Sequence, residues 1–218
     1  MRLRAVLLMS DASAALTRHI AEMHGVDLDA SVVADQAALQ KACLGRPDLL
    51  LAFGTGVIVP QSILGMPDML AINIHPASPA YPGRDPHHFA CYDGVAQYGA
   101  TMHHMTSRVD DGPILDVELL DATLGATPAD LLALAESAGE RLLGRLFAKL
   151  GANAPLTPLG ISWGGRKTTR NMFLEMCRVD ASISKEEFER RLHATSMPGY
   201  SNLFVEVHGK RFRLKGEK

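Results

Sequence analysis

Met69-Leu70-Ala71-Ile72-Asn73-Ile74-His75-Pro76 is a short apolar run that ends in two polar residues and a proline. Its length and apolar character predict a buried β-strand, and Pro76 cannot continue a sheet ladder, so the strand ends there. Residues two apart in a strand share a face, which puts Asn73 and His75 side by side at the strand's carboxyl end. Open α/β sheets bind their ligands at that end. Taken alone, the pair also reads as two buried polar side chains satisfied by backbone.

Apolar runs and helix-like stretches alternate on either side of this segment. Leu3–Met9 reads as a strand, Ala12–Met23 as a helix, Ala30–Val33 as a weaker strand, Asp35–Cys43 as a helix and Asp48–Phe53 as a buried strand. Such alternation predicts an α/β fold with a mostly parallel twisted sheet flanked by helices. Asp85-Pro86 is expected to open a helix, with Asp85 as its cap and Pro86 in its first turn. Ala100–His104 and Ile114–Leu119 read as strands around a loop that carries Asp110. From Thr127, a helix shows apolar positions Leu131, Leu134, Ala138, Leu142, Leu146 and Leu150, with Gly151 expected just past its end. Residues 153–159 read as a linker. Ser184 to Glu187 is a capping-box pattern, and 204–214 reads as a β-hairpin. We therefore expect a core over residues 1–152 and a linker with a short C-terminal helix and β-hairpin extension over 153–218.

Composition bounds the function. Hydrophobic residues make up 47% of 218 residues and the net charge is −2, so no global attraction to nucleic acid is expected. Residues 160–218 carry 12 Lys/Arg against 7 Asp/Glu, a surplus that suits either phosphate contacts or a solvated surface. Cys43, Cys91 and Cys177 are widely spaced and odd in number, as expected of reduced thiols in a cytoplasmic protein. The apolar run after Arg4 ends at Ser10, too short for a signal sequence or a membrane span. His87-His88 and His103-His104 raise the question of a metal. Neighbouring residues diverge in both strands and helices, and zinc-site spacing is missing, so no metal is expected. Those histidines read instead as surface or substrate-contact groups.

Four segments follow one another in order: Ile72-Asn73-Ile74-His75-Pro76, Tyr81-Pro82-Gly83-Arg84-Asp85-Pro86, Gly99-Ala100-Thr101-Met102-His103 and Val109-Asp110-Asp111-Gly112-Pro113. Together they resemble the folate-dependent formyltransferases over roughly residues 3 to 150, and the C-terminal layout is similar to that of nucleotide-sugar N-formyltransferases. The resemblance implies a Rossmann-like core and transfer of a formyl group from 10-formyltetrahydrofolate to a primary amine. It implies Asn73, His75 and Asp110 as the catalytic residues, with Asp111 a local turn-former. It also implies donor contacts from Phe53, Gly54, Thr55, Gly56, Val57 and Ile58 and from Ser107, Arg108 and Val109. Tyr81, Gly83, Arg84, His87, His88 and Trp163 are the candidate acceptor contacts. Trp163-Gly164-Gly165-Arg166-Lys167 suits a nucleotide base and diphosphate, or a hinge with a packed indole. The expected acceptor is a nucleotide-linked amino sugar. Glycinamide ribonucleotide, aminoacyl-tRNA, a hydroxylated amino acid and a non-catalytic folate or nucleotide binding module stay open. Expected partners are small-molecule substrates, with no DNA and no membrane, and a homodimer is compatible with the layout. The loop between His75 and Gly83 is one residue shorter than is usual in that family, which bears on the acceptor pocket first.

Overall fold

The computed structural model describes residues 1–214, so the last four residues of the expected extension lie outside the described residues. Its elements run β1 (Arg2–Leu8), α1 (Asp11–Met23), β2 (Asp27–Val33), α2 (Gln36–Cys43), β3 (Leu49–Phe53), α3 (Gln61–Leu64), β4 (Leu70–His75), α4 (Pro86–Asp93), β5 (Gln97–His104) and β6 (Ile114–Asp121). The chain continues through α5 (Pro128–Gly151), α6 (Arg170–Cys177), α7 (Lys185–Thr195), β7 (Ser196–Met197), β8 (Tyr200–Ser201), β9 (Phe204–Val207) and β10 (Lys210–Arg213). Strands β2-β1-β3-β4-β5-β6 form one sheet in that order, parallel from β2 to β4 and antiparallel at β4–β5 and β5–β6.

Strand alternation sorts the core into two layers. Leu7, Leu49, Leu51, Ile72 and Ile74 pack with α1 and the apolar stripe of α5, including Ala138, Leu142 and Leu146. Val6, Leu8, Leu50 and Ala52 point the other way and pack with Leu39 and Cys43 of α2. Asn73 and His75 therefore share the second face, where the apolar cover stops and the sheet edge opens.

Three local expectations are corrected. Asp85 does not cap α4: its backbone is left-handed at φ 55°, no capping bond forms, and its carboxylate turns to Arg170 at 3.3 Å. Gly151 lies inside α5, where its missing Cβ matters because one would sit 2.2 Å from the His24 carbonyl oxygen. Ser184 does cap α7, but Glu187 does not close the box, since its carboxylate is taken by the Tyr92 hydroxyl and by Arg191. Helices α3 and α6 had no clear signal, because both are short and α6 follows a glycine-rich turn.

Candidate active site

The end of β4 supplies the first two groups. His75 is buried, with 4% exposure, while Asn73 is half-buried and open to the cleft. Antiparallel pairing sets Asn73 against His103 and His75 against Thr101, so β5 adds its own polar pair to this face. Asp110 arrives on the turn after β5. It has a left-handed backbone, φ 44°, a conformation uncommon for a residue with a Cβ and one that favours an aspartate or asparagine. The turn is pressed against β5, and a Cβ on Gly112 would lie 1.9 Å from the His104 carbonyl oxygen.

Asp110 is 4% exposed and sits between two imidazoles. Its Oδ2 lies 3.4 Å from His75 Nδ1, its Oδ1 lies 3.5 Å from His103 Nε2, and the Gly83 N–H donates to Oδ2 at 2.8 Å. Backbone carbonyls set the tautomers. His75 Nε2 meets the Tyr81 carbonyl at 2.9 Å and His103 Nδ1 meets the His104 carbonyl at 2.8 Å, and a carbonyl only accepts. Each neutral ring thus turns an unprotonated nitrogen toward Asp110. His103 Nε2 also accepts from the Asn73 amide nitrogen at 3.0 Å, which leaves the second amide N–H free.

Burial pushes His75 below the ordinary histidine range, although the Asp110 charge and the Tyr81 bond pull back upward and His103 adds to the fall. Burial alone would raise Asp110. The Gly83 N–H, and the facing His103 and His75 nitrogens whenever they carry a proton, outweigh it, so the carboxyl is held below its usual range and stays ionised. An ionised acid beside a neutral, buried imidazole is an arrangement that can receive a proton.

A cleft of about 310 Å³ opens beside these groups. Gly54, Thr55, Gly56, Val57 and Ile58 line it, as do Ser107, Arg108 and Val109. Phe53 is not part of the lining; its ring packs against Gly139 of α5, where a Cβ would meet it at 2.3 Å. Gly83 and Arg84 line the cleft, as do Lys167 and Arg170. Tyr81 contributes its carbonyl to His75 and its hydroxyl to Asp93. Asp111 is apart from the site, paired with Arg108 at 2.9 Å.

His87, His88 and Trp163 are absent from the lining of this cleft. His88 is buried, bonds the Ala194 carbonyl at 2.7 Å and packs on Phe173, while His87 stacks on His88. Trp163 bonds the Gly112 carbonyl and packs against His75 and His103. His103, read from sequence as a surface or substrate-contact residue, is 3% exposed and stands at the centre. The signal for it was the alternation Thr101, His103 in β5; its partner strand was not readable. Among the described residues, no group of three or more His, Cys, Asp or Glu side chains is arranged to hold a metal ion, and no helix is long and apolar enough to cross a membrane.

The family model described as formyl transferase matches residues 4–145. Methionyl-tRNA formyltransferase of Natranaerobius thermophilus is 29% identical over 175 residues, which is 78% of this chain and 54% of that protein. The chain thus spans little more than half the length of that curated relative. Among solved structures, a 4-N formyltransferase from Francisella tularensis superposes with a TM-score of 0.77 at 20% identity, covering 99% of this chain and 98% of that one. A sugar N-formyltransferase from Shewanella sp. FDAARGOS_354 gives 0.76 at 18% identity, with 99% and 98% covered.

Proposed function

The chain belongs to the formyl transferase family, and from that premise we propose that it moves a formyl group from 10-formyltetrahydrofolate to the primary amine of a nucleotide-linked amino sugar. The observation that carries this reading is the buried Asp110 between His75 and His103, with the free N–H of Asn73 facing the cleft.

The cleft suits the donor. A pterin asks for backbone donors and acceptors beside an apolar slot. Gly54 and Gly56 bring bare backbone to one wall, and Ala52, Val57, Val59 and Met105 supply the apolar surface. The rim is cationic: Arg84, Arg108, Lys167 and Arg170 line the cleft, Arg108 paired with Asp111 and Arg170 with Asp85, and among the described residues Asp110 is the one carboxylate in that lining. Such a rim favours a ligand that carries carboxylates or phosphates.

The chain's own groups divide the reaction as follows. The amine nitrogen bonds to the formyl carbon, the bond from that carbon to the donor nitrogen breaks, and a proton passes from amine to donor nitrogen. Asn73 donates its free N–H to the formyl oxygen as charge gathers there, an effect worth roughly 3–4 kcal/mol of barrier. The His75 Nε2 proton is already committed to Tyr81, which favours proton handling at Nδ1 over donation to that oxygen. Asp110 stabilises the imidazolium while the ring holds the proton.

The fold likeness to the Shewanella sugar N-formyltransferase, which extends through the C-terminal hairpin, supports the acceptor class. An aminoacyl-tRNA is the second reading, favoured by the 29% identity to methionyl-tRNA formyltransferase. The test is incubation with 10-formyltetrahydrofolate and either a panel of nucleotide-linked amino sugars or methionyl-tRNA, with products read by mass spectrometry. Formylation of a sugar amine is expected. Formylation of methionyl-tRNA alone would overturn the acceptor class, and no formyl product with any amine would overturn the activity.

A further inference from the structure

Residues 159–168 run back over the catalytic groups instead of leading away from the core. Leu159 N–H bonds the Ile114 carbonyl at 2.8 Å, Gly164 N–H the Pro79 carbonyl at 2.7 Å and Thr168 N–H the Pro82 carbonyl at 2.8 Å. Trp163 is held in the middle of this strap. We infer that Trp163 is a positioning residue for formyl transfer, its indole being the shared wall that sets the planes of both imidazoles against Asp110. The inference rests on the formyl-transfer reading of the site.

Three contacts carry it. The indole N–H donates at 2.8 Å to the Gly112 carbonyl, on the turn that bears Asp110. The ring stands edge-on to His103, with centroids 4.9 Å apart and planes at 90°, and to His75 at 5.7 Å and 72°. Edge-to-face packing is the arrangement that aromatic quadrupoles favour. One side chain thus touches β4, β5 and the catalytic turn.

Something must do this work. His75 is tied at Nε2 to a backbone carbonyl, which fixes a tautomer and a point of attachment but not the ring plane, while His103 is tied to a carbonyl at Nδ1 and to the Asn73 amide at Nε2 with the indole edge-on to it. The second side-chain torsion of histidine has broad minima, so an unsupported ring swings about that point. A swing of an ångström at Nδ1 or Nε2 would break the contacts to Asp110, and misplacement on that scale costs on the order of 10²-fold in rate. Trp163 itself has little room to shift. A Cβ on the next residue, Gly164, would lie 2.6 Å from the Ala80 carbonyl oxygen, so the strap is seated tightly there. Trp163 is also absent from the lining of the cleft, which argues against ligand stacking.

The chain has one tryptophan, so intrinsic fluorescence reports this position alone. The titratable groups at the indole are His75 from β4 and His103 from β5, with Asp110 behind them and Lys167 further along the strap. Protonated imidazole quenches indole emission and neutral imidazole does so far less. Emission of the unaltered protein should therefore fall on acidification, and the midpoint should move in His75→Gln. In steady-state assays, Trp163→Ala should lower kcat by about 10- to 100-fold with donor KM little changed, and Trp163→Phe should recover part of it. The inference is overturned if emission ignores both pH and His75→Gln. It is equally overturned if Trp163→Ala, folded by circular dichroism, keeps the original kcat, or loses activity only in proportion to unfolded protein. The fluorescence arm needs no acceptor, so its failure is separable from failure of the formyl-transfer reading.

Discussion

Asp110 Oδ2 faces His75 Nδ1 at 3.4 Å while the other nitrogen of that ring is held by the Tyr81 carbonyl. The pair is almost wholly buried, and a backbone N–H from Gly83 donates to the same carboxylate oxygen. A neutral imidazole in this setting has a single place for an incoming proton, at Nδ1. The acid beside it makes that place favourable without taking the proton itself. This division of labour follows from which nitrogen the backbone occupies.

Asp110→Asn should lower kcat by roughly 10²- to 10⁴-fold, the usual range for losing a positioned proton-handling group. The sign of its effect on His75 is also fixed. The Asp110 charge now raises the His75 pKa against a larger lowering by burial, so removing it must move His75 further down. Histidine titration by NMR checks the direction, and an upward shift would contradict the assignment.

Gly83→Ala tests the backbone around the site. Gly83 has φ +103° and a Cβ there would lie 2.2 Å from the Thr168 carbonyl oxygen. The segment must move, which should cost about 1–3 kcal/mol in denaturant unfolding. Because the same residue donates its N–H to Asp110, kcat should fall as well.

His87 gives an acid-stability test. Its pKa is lowered to about 4, by burial first and then by neighbouring His88, with Asp85 opposing, and its Nδ1 is buried without a hydrogen-bond partner. In the unfolded chain the ring takes a proton near pH 6.5, so the unfolded state binds protons first as pH falls. The native state should be fully stable above pH 6.5 and lose about 3 kcal/mol from this residue between there and pH 4. His87→Phe should flatten that part of the curve in unfolding measured against pH.

Arg84→Ala and Lys167→Ala test the cationic rim. Both should raise the donor KM, more for a donor with several glutamates than for one, with kcat little changed. Added salt should narrow the difference between original and variant. Equal KM values for all donors would show that the rim does not contact those glutamate carboxylates.

Much of this site was legible in the sequence, and the limits have physical causes. Asn73 and His75 could be placed on one face because strand periodicity is local. Asp110 was separable from Asp111 through the ordered family segments, since both aspartates suit a turn. His103 was not found, because its role depends on β5 pairing antiparallel to β4 in one register, a long-range fact. Trp163 read either as a ligand contact or as the packed indole of a hinge, because its sequence neighbours are glycines and cations. Its actual neighbours arrive from β4, β5 and the Asp110 turn. Phe53 immediately precedes the Gly54–Ile58 loop in sequence and was grouped with it, yet alternation along β3 sends its ring to α5. Position in a motif did not determine side-chain direction.

The most direct measurement compares donor binding and donor turnover in the unaltered protein, His75→Ala and Asp110→Ala. Calorimetry with a non-transferable folate analogue gives binding, and amine-dependent release of tetrahydrofolate gives turnover. All three proteins should bind the analogue, and only the unaltered one should release tetrahydrofolate at an appreciable rate. Undiminished release by either variant would contradict the catalytic roles of His75 and Asp110.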